Sequence, residues 1–122
     1  MEFNTALLHQ SYDRSSYHGA TVVPVYQVNA FAQESAEKLE KVFQNKAPGF
    51  AYSRISNPTV DSFERRVAAM EGGIGAVACS SGMAAVTMAL LTVLEAGDEI
   101  IAGSGLFGGT IDLFRDLEAF GI

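Results

Sequence analysis

The stretch AVACSSGMAAVTMALLTVL, residues 76–94, decides how the chain folds. Residues 76–79 are a short apolar run bounded by glycine and serine, which predicts a buried strand. Residues 83–94 are apolar almost all round, which predicts a helix buried between layers. Ser81 and Gly82 stand where this helix begins. Backbone N–H groups at a helix start have no intrahelical partner and bind anions, and glycine lets a phosphate come close. The junction is therefore a candidate phosphate site, the alternative being that Ser81 only caps the helix.

Helices and strands also alternate on both sides of this stretch. Upstream, Asn57-Pro58 predicts a helix start, and Gly72-Gly73 predicts its end. Downstream, residues 98–102 predict a second strand, and a helix starting near Thr110 is expected to end at Gly121. The order predicts an α/β fold. Two strands are too few to cover these helices, so we expect the chain to be the amino-terminal part of a longer protein.

The first part of the chain is different in composition. Residues 1–55 are polar and irregular, and the segment 11–17 shows no sustained period, which predicts an extended arm. One amphipathic helix interrupts this arm at residues 35–45, with the pairs Glu34–Lys38 and Glu37–Lys41 on its exposed face. The sequence thus divides into an arm, residues 1–55, and the beginning of an α/β domain, residues 56–122.

The length, composition and net charge of the chain restrict the classes of function that it can have. The 122 residues include 48% hydrophobic residues, which describes one globular domain at most. A net charge of −6 repels nucleic acid and anionic lipid, so we expect neither as a partner. There is no signal-like or membrane-spanning apolar run, which predicts a cytoplasmic location. The one cysteine, Cys79, is expected to be a small buried apolar residue, and His9 and His18 lack the spacing of metal ligands.

A second candidate phosphate contact is YSRISNPT, residues 52–59. Tyr52 and Arg54 alternate, so in an extended backbone their side chains point the same way. A phenol and a guanidinium placed in this way can bind a phosphate by charge-assisted hydrogen bonds. The alternative is an arginine that neutralises a nearby carboxylate beside a packed tyrosine.

The stretch GSGLFG, residues 103–108, matches the dinucleotide-binding pattern G-x-G-x-x-G. The acidic residue that binds the ribose is expected about 20 residues after the pattern, which would be beyond Ile122. The pattern is therefore interpreted as coincidental. An NAD-binding Rossmann-like domain is kept as an alternative, as is a non-catalytic assembly module in which the glycine loops are only turns.

Several motifs together resemble the amino-terminal part of the Cys/Met-metabolism (transsulfuration) family of pyridoxal-phosphate enzymes. They occur in the family's order and spacing at residues 52–59, 71–73, 80–84 and 97–99. The resemblance implies the amino-terminal part of the large domain of the fold type I, aspartate aminotransferase-like transferases, preceded by an extended arm. It also implies pyridoxal 5'-phosphate as the cofactor.

The resemblance implies roles for six residues at the cofactor. The amides of Gly82 and Met83, with Ser81 beside them, would bind its phosphate, and the ring of Phe107 would stack on its pyridine ring. Tyr52 and Arg54 would reach the phosphate of a neighbouring subunit. A homo-oligomer, either a dimer or a tetramer, is therefore expected.

Two differences from relatives bear on the reaction. Many members have tyrosine where Phe107 stands, and phenylalanine can stack but cannot transfer a proton. Gly109 replaces a cysteine that is typical of methionine γ-lyases. Both favour an O-acetylhomoserine sulfhydrylase, which replaces the γ-substituent of an O-acyl-homoserine with sulfide or a thiol to give homocysteine or methionine. Methionine γ-lyase and cystathionine γ-synthase or lyase are the alternatives.

The catalytic residues that the resemblance implies are missing. The family's Schiff-base lysine, its pyridinium aspartate and its substrate-binding arginine come later in much longer chains. The lysines here, Lys38, Lys41 and Lys46, all lie in or just after the surface helix. We therefore expect that this chain contains no catalytic residue and that it is a fragment without activity of its own.

Overall fold

The computed structural model describes residues 2–9 and 14–122. Its elements are α1 (Phe3–His9), a 3-10 helix (Arg14–Tyr17), α2 (Ala36–Phe43), α3 (Pro58–Glu71), α4 (Gly82–Val93) and α5 (Gly108–Glu118). They form two compact units, Met1–Val77 and Ala78–Ile122. In the first unit α1 packs against α3, and in the second α4 packs against α5. The boundary between the compact units falls after α3 in the sequence, and α3 belongs to the first unit with α1. The division into an arm and a cofactor-binding domain stays a prediction.

Helix α3 begins and ends where its capping residues predict. The Asn57 side chain accepts a hydrogen bond from the Thr59 N–H at 2.9 Å, and Pro58 is the first helical residue. At the other end, Gly72 is left-handed with φ of 64°, and its N–H donates to the Ala68 carbonyl. Both predicted boundaries are confirmed.

Helix α2 is shorter than predicted, and only one of its two ion pairs forms. Ser35 caps it by accepting from the Lys38 N–H, and Lys38 lies 3.3 Å from Glu34. Glu37 and Lys41 form no ion pair in the part of the chain that the structure describes. Instead, the Glu37 backbone N–H and the Ser35 hydroxyl bind the Glu37 carboxylate and lower its pKa. A carboxylate in the first turn also interacts well with the helix dipole.

The first part of the arm is not extended, contrary to the prediction. Phe3–His9 form α1, and Arg14–Tyr17 form a 3-10 helix. Residues 11–13 of the segment predicted to be irregular lie outside the described residues. Because α1 has only seven residues, its formation depends on packing against α3 rather than on propensity alone.

A row of aromatic rings runs through the rest of the arm. Ring centroids are 6.4 Å apart for Tyr17 and Tyr26, 6.2 Å for Tyr26 and Phe31, and 5.9 Å for Phe31 and Phe50. All three pairs are tilted, which is a favourable arrangement for aromatic quadrupoles. Side-chain packing therefore holds this irregular segment together.

The two predicted strands do not form. Residues 76–79 and 98–102 have no strand assignment, and the β pairing among described residues is a single antiparallel bridge between Ala30 and Tyr52. A strand exists only through hydrogen bonds to a neighbour, and neither segment is paired with one among the described residues. The local strand predictions are therefore wrong for this chain.

Helix α4 forms where predicted but is not buried. It spans Gly82–Val93, so it stops at Leu94 before Gly97, and none of its residues is buried. Met88 and Leu91 are about half exposed. Cys79 is half-buried rather than buried, with its sulfur 3.6 Å from that of Met88. Leu117 of α5, 2% exposed, is the buried apolar side chain of this unit. None of the described helices is long and apolar enough to cross a membrane.

Candidate functional site

Ser81 is the N-cap of α4, as the sequence predicts. Its backbone is extended, with φ of −155° and ψ of 162°, and its Oγ accepts a hydrogen bond from the Ala84 N–H at 3.1 Å. Its carbonyl accepts from the Ala85 N–H at 3.1 Å. Capping is compatible with anion binding, since the Ser81 hydroxyl keeps its proton as a donor.

The amides of Gly82 and Met83 are free to bind an anion. They are the first two of α4, where no intrahelical acceptor exists, and no hydrogen bond from either is found among the described residues. Gly82 is exposed, and a methyl group placed on it would meet no atom within 4 Å beyond its own turn. An anionic oxygen can therefore approach these N–H groups closely, which fits the phosphate group expected here.

Phe107 lies at the start of α5. Its carbonyl accepts from the N–H groups of Thr110 and Ile111, at 2.9 and 3.2 Å, and the residue is 73% exposed. The ring edge folds over Gly109: a methyl group there would lie 2.8 Å from the ring's Cε1 and 3.6 Å from the Met83 sulfur. The Phe107 ring and the Met83 sulfur thus both lie next to Gly109, and Phe107 presents an exposed aromatic surface to a flat ligand.

Tyr52 and Arg54 belong to the first compact unit and are not in an extended strand. The Tyr52 carbonyl accepts from the N–H groups of Ile55 and Ser56, at 2.9 and 3.0 Å, so residues 53–55 form a turn. The two side chains nevertheless meet, because the Arg54 guanidinium lies 5.4 Å from the Tyr52 ring centroid. No carboxylate pairs with Arg54 among the described residues, which leaves its donors available for an anion.

The other polar residues of the stretch 52–59 bind the preceding backbone. Asn57, 6% exposed, donates to the Tyr26 carbonyl at 3.0 Å and to the Ser53 Oγ at 2.9 Å. Ser53 donates in turn to the Val28 carbonyl. The Thr59 hydroxyl donates to the Pro24 carbonyl at 3.0 Å and accepts from the Tyr26 N–H at 2.9 Å. We call Ser53, Asn57 and Thr59 the polar clamp.

The sequence pattern does not predict the polar clamp. Asn57 was interpreted only as a helix cap, although its amide has two donors beyond the acceptor that a cap needs. The clamp joins residues 24–29 to the start of α3 and so holds the turn that carries Tyr52 and Arg54. Its residues are positioning residues rather than ligand contacts.

The glycine stretch at residues 103–108 lacks the setting of a dinucleotide site. Residues 104 and 105 form a turn and α5 begins at Gly108, but no strand precedes the turn among the described residues. A side chain at Gly103 or Gly105 would meet no atom within 4 Å, so neither glycine is required by a close approach within the chain. No cluster of potential metal ligands is found in the described part of the chain either.

Comparison with solved structures identifies the class as the fold type I enzymes that depend on pyridoxal phosphate. The chain matches a structure described as an O-acetylhomoserine (thiol)-lyase from Campylobacter jejuni, with a TM-score of 0.89 and 34% identity. The match covers 100% of this chain and 30% of that one. The Campylobacter structure carries N'-pyridoxyl-lysine-5'-monophosphate. The α/β fold class is confirmed by this likeness, although no strand forms among the described residues of this chain.

The chain belongs to the Cys/Met metabolism PLP-dependent enzyme family, whose model matches residues 4–122. It is 43% identical over 112 residues to the O-acetyl-L-homoserine sulfhydrylase of Corynebacterium glutamicum, covering 92% of this chain and 26% of that protein. It is 40% identical over 113 residues to the homocysteine synthase of Schizosaccharomyces pombe, covering 93% and 26%. The chain thus spans only about a quarter of the length of these relatives.

Proposed function

We propose that the chain supplies the phosphate-binding and ring-stacking part of a pyridoxal 5'-phosphate site in an O-acyl-homoserine sulfhydrylase. The observation that carries this proposal is the pair of free amides at Gly82 and Met83, with the exposed Phe107 ring and the Met83 sulfur both next to Gly109. Relatives named for this activity and for homocysteine synthesis support the reaction class. The substrates would be an O-acyl-homoserine and sulfide or a thiol.

Each predicted site residue has a distinct part in holding the cofactor. The Gly82 and Met83 amides and the Ser81 hydroxyl donate hydrogen bonds to the phosphate, while the Phe107 ring covers one face of the heterocycle. When bound, the cofactor withdraws electrons from the amino-acid substrate, which permits replacement of its γ-substituent. Phe107 has no proton to transfer, so its ring only packs against the cofactor. This favours replacement of the γ-substituent over the reactions of the lyase alternatives.

Tyr52 and Arg54 are proposed to bind the phosphate in a neighbouring copy of the chain. Arg54 has no anionic partner among the described residues, and stacking on Tyr52 presents its guanidinium as a preformed cation. A charged donor held in this way suits a phosphate group. The proposal therefore includes a homo-oligomer, and it keeps the cytoplasmic location as a prediction.

Replacing Gly82 with proline should weaken phosphate binding by about 10- to 100-fold, because one charge-assisted hydrogen bond is lost. Proline is well tolerated as the first residue of a helix, and the extended backbone of Ser81 suits the position before proline. The substitution therefore removes the N–H without disturbing α4. The measurement is the rise in melting temperature of the chain with pyridoxal phosphate and, separately, with inorganic phosphate.

Gly82→Ala is the matched control, since it keeps the N–H and its methyl group enters open space. It should retain the ligand-induced rise in melting temperature. Pyridoxal without the phosphate should stabilise the chain less than pyridoxal phosphate does. Equal stabilisation of G82P and G82A would contradict a phosphate site at these amides, and stabilisation by NAD instead would favour the dinucleotide alternative.

The lysines of the chain should not be labelled specifically by the cofactor. Lys38 is already paired with Glu34 at 3.3 Å, and Lys41 in α2 and Lys46 just after it are exposed, within the first compact unit. Borohydride reduction in the presence of pyridoxal phosphate, followed by peptide mapping, should show weak and non-selective modification. Stoichiometric labelling of one lysine would disprove the proposal that this chain has no catalytic residue.

A further inference from the structure

The segment that ends at Ser53 is paired with the arm in a fixed register. Three backbone contacts join the two: the bridge between Ala30 and Tyr52, the bond from the Phe31 N–H to the Ala51 carbonyl at 3.0 Å, and the bond from the Ser53 N–H to the Asn29 carbonyl at 2.9 Å. Bonds on either side of an opposed pair are the pattern of antiparallel pairing. A slip of one residue would turn the Tyr52 side chain to the other face, so the arm decides where Tyr52 points.

The side chain of Ser53 extends this pairing by one residue. Its hydroxyl donates to the Val28 carbonyl, next to the Asn29 carbonyl that its own N–H binds. The same hydroxyl accepts from the Asn57 side-chain amide at 2.9 Å. The chain turns immediately afterwards, at residues 53–55. Ser53 therefore joins the paired segment to the turn that presents Arg54.

We infer that Ser53 is a positioning residue that fixes the direction of the Arg54 guanidinium. Arg54 is exposed and follows Ser53 directly, and its guanidinium lies 5.4 Å from the Tyr52 ring centroid. Because the arm anchors Ser53 by its N–H and by its hydroxyl, the two residues on either side of Ser53 are held relative to each other. A guanidinium binds phosphate through a planar fork of donors, so its direction matters as well as its charge.

The inference deepens the proposed function, because Arg54 is proposed there to bind the phosphate in a neighbouring copy. It gives the arm a part in the cofactor site, since residues 28–31 set the position of the group that reaches the phosphate. The stacking of Arg54 on Tyr52 does not rest on the proposed function and can be measured without ligand.

Three single substitutions isolate the Ser53 hydroxyl. Ser53→Ala removes it and keeps the backbone pairing, and residue 53 has no positive φ that would oppose alanine. Ser56→Ala is the matched control: among the described residues no hydrogen bond of its hydroxyl is found, and its N–H keeps the bond to the Tyr52 carbonyl. Ser53→Thr keeps the hydroxyl, so it should behave as the wild type does.

The first measurement is the NMR spectrum of the whole chain without ligand. The ring current of Tyr52 shifts the side-chain resonances of Arg54 while the two groups are stacked. These shifts should persist in S53T and S56A. In S53A they should move toward the values of an unstacked arginine, because the turn is no longer anchored through its first side chain.

The second measurement is the affinity of the whole chain for pyridoxal phosphate, by calorimetric titration. It should fall about three- to tenfold in S53A and stay unchanged in S53T and S56A, because a misdirected guanidinium loses hydrogen bonds to the phosphate. Adding Ser53→Ala to an Arg54→Ala chain should cause no further loss, since the hydroxyl acts through Arg54. A general loss of stability would instead lower the affinity equally in both backgrounds.

The outcomes separate this inference from the proposed function. Unmoved Arg54 resonances in S53A would overturn the inference even if the cofactor binds. An equal loss of affinity with and without Arg54 would also overturn it, because the role of Ser53 would then be purely structural. Moved resonances in a chain whose cofactor affinity does not depend on Arg54 would support the positioning role and refute the proposed function of Arg54.

An isosteric pair of variants keeps the test decisive if S53A folds poorly. Ser53→Thr and Ser53→Val have the same shape and differ only in a hydroxyl against a methyl group. The Arg54 resonances of S53V should then move while those of S53T stay in place. Equal resonances in these two variants would overturn the inference.

Discussion

Replacing Asn57 with alanine is expected to destabilise the first compact unit by about 2–4 kcal/mol. The change removes a helix cap, which costs about 1 kcal/mol, and leaves the Tyr26 carbonyl without its donor from the side chain. An unsatisfied buried polar group costs about 1–3 kcal/mol more, and the Tyr26 carbonyl lies in a half-buried residue against the 6% exposed Asn57. The measurement is urea unfolding followed by tyrosine fluorescence, because all four tyrosines lie within Met1–Val77.

Two further variants separate the cap from the polar clamp. Asn57→Asp keeps the acceptor for the Thr59 N–H but loses both donors and turns a carboxylate toward the Tyr26 carbonyl, so it should be nearly as unstable as N57A. Ser35→Ala removes an exposed cap and should cost only about 1 kcal/mol. A loss in N57A no larger than that in S35A would show that the clamp contributes nothing to stability.

The elements that could be predicted are those specified by neighbouring residues. Asn57-Pro58 and Gly72 bound α3 because a cap, a fixed φ and a left-handed residue act within one helical turn. Ser81 marks the start of α4 for the same reason. The amide pair at Gly82 and Met83 follows directly from where that helix begins, so this half of the candidate site is readable from local sequence.

The features that could not be predicted depend on partners distant in the sequence. Residues 76–79 and 98–102 have the composition of strands, but pairing requires a neighbouring strand, and the described residues provide none. The apolar character of α4 indicates what it would bury, and not whether anything covers it. The Phe107 ring and the Met83 sulfur both lie next to Gly109 because α4 packs against α5, and no local motif specifies that packing.

Replacing Leu117 with alanine should destabilise the second compact unit by about 2–5 kcal/mol. Leu117 is 2% exposed, in a unit whose helix α4 has no buried residue, so little other apolar burial opposes unfolding. Alanine has the highest helix propensity, so the loss will report packing rather than helix formation in α5. Hydrogen exchange of the α4 and α5 amides, followed by mass spectrometry, measures this unit separately.

Leu91→Ala is the matched control for this packing argument, since it makes the same chemical change on α4 at a side chain that is 50% exposed. It should alter the exchange free energy by less than about 1 kcal/mol, because surface substitutions rarely cost more. In L117A the amides of both helices should lose protection together, since α4 packs against α5 and Leu117 is the buried side chain of this unit. Equal losses in L91A and L117A would mean that α4 and α5 pack through a different face, with Leu117 contributing no more than an exposed leucine.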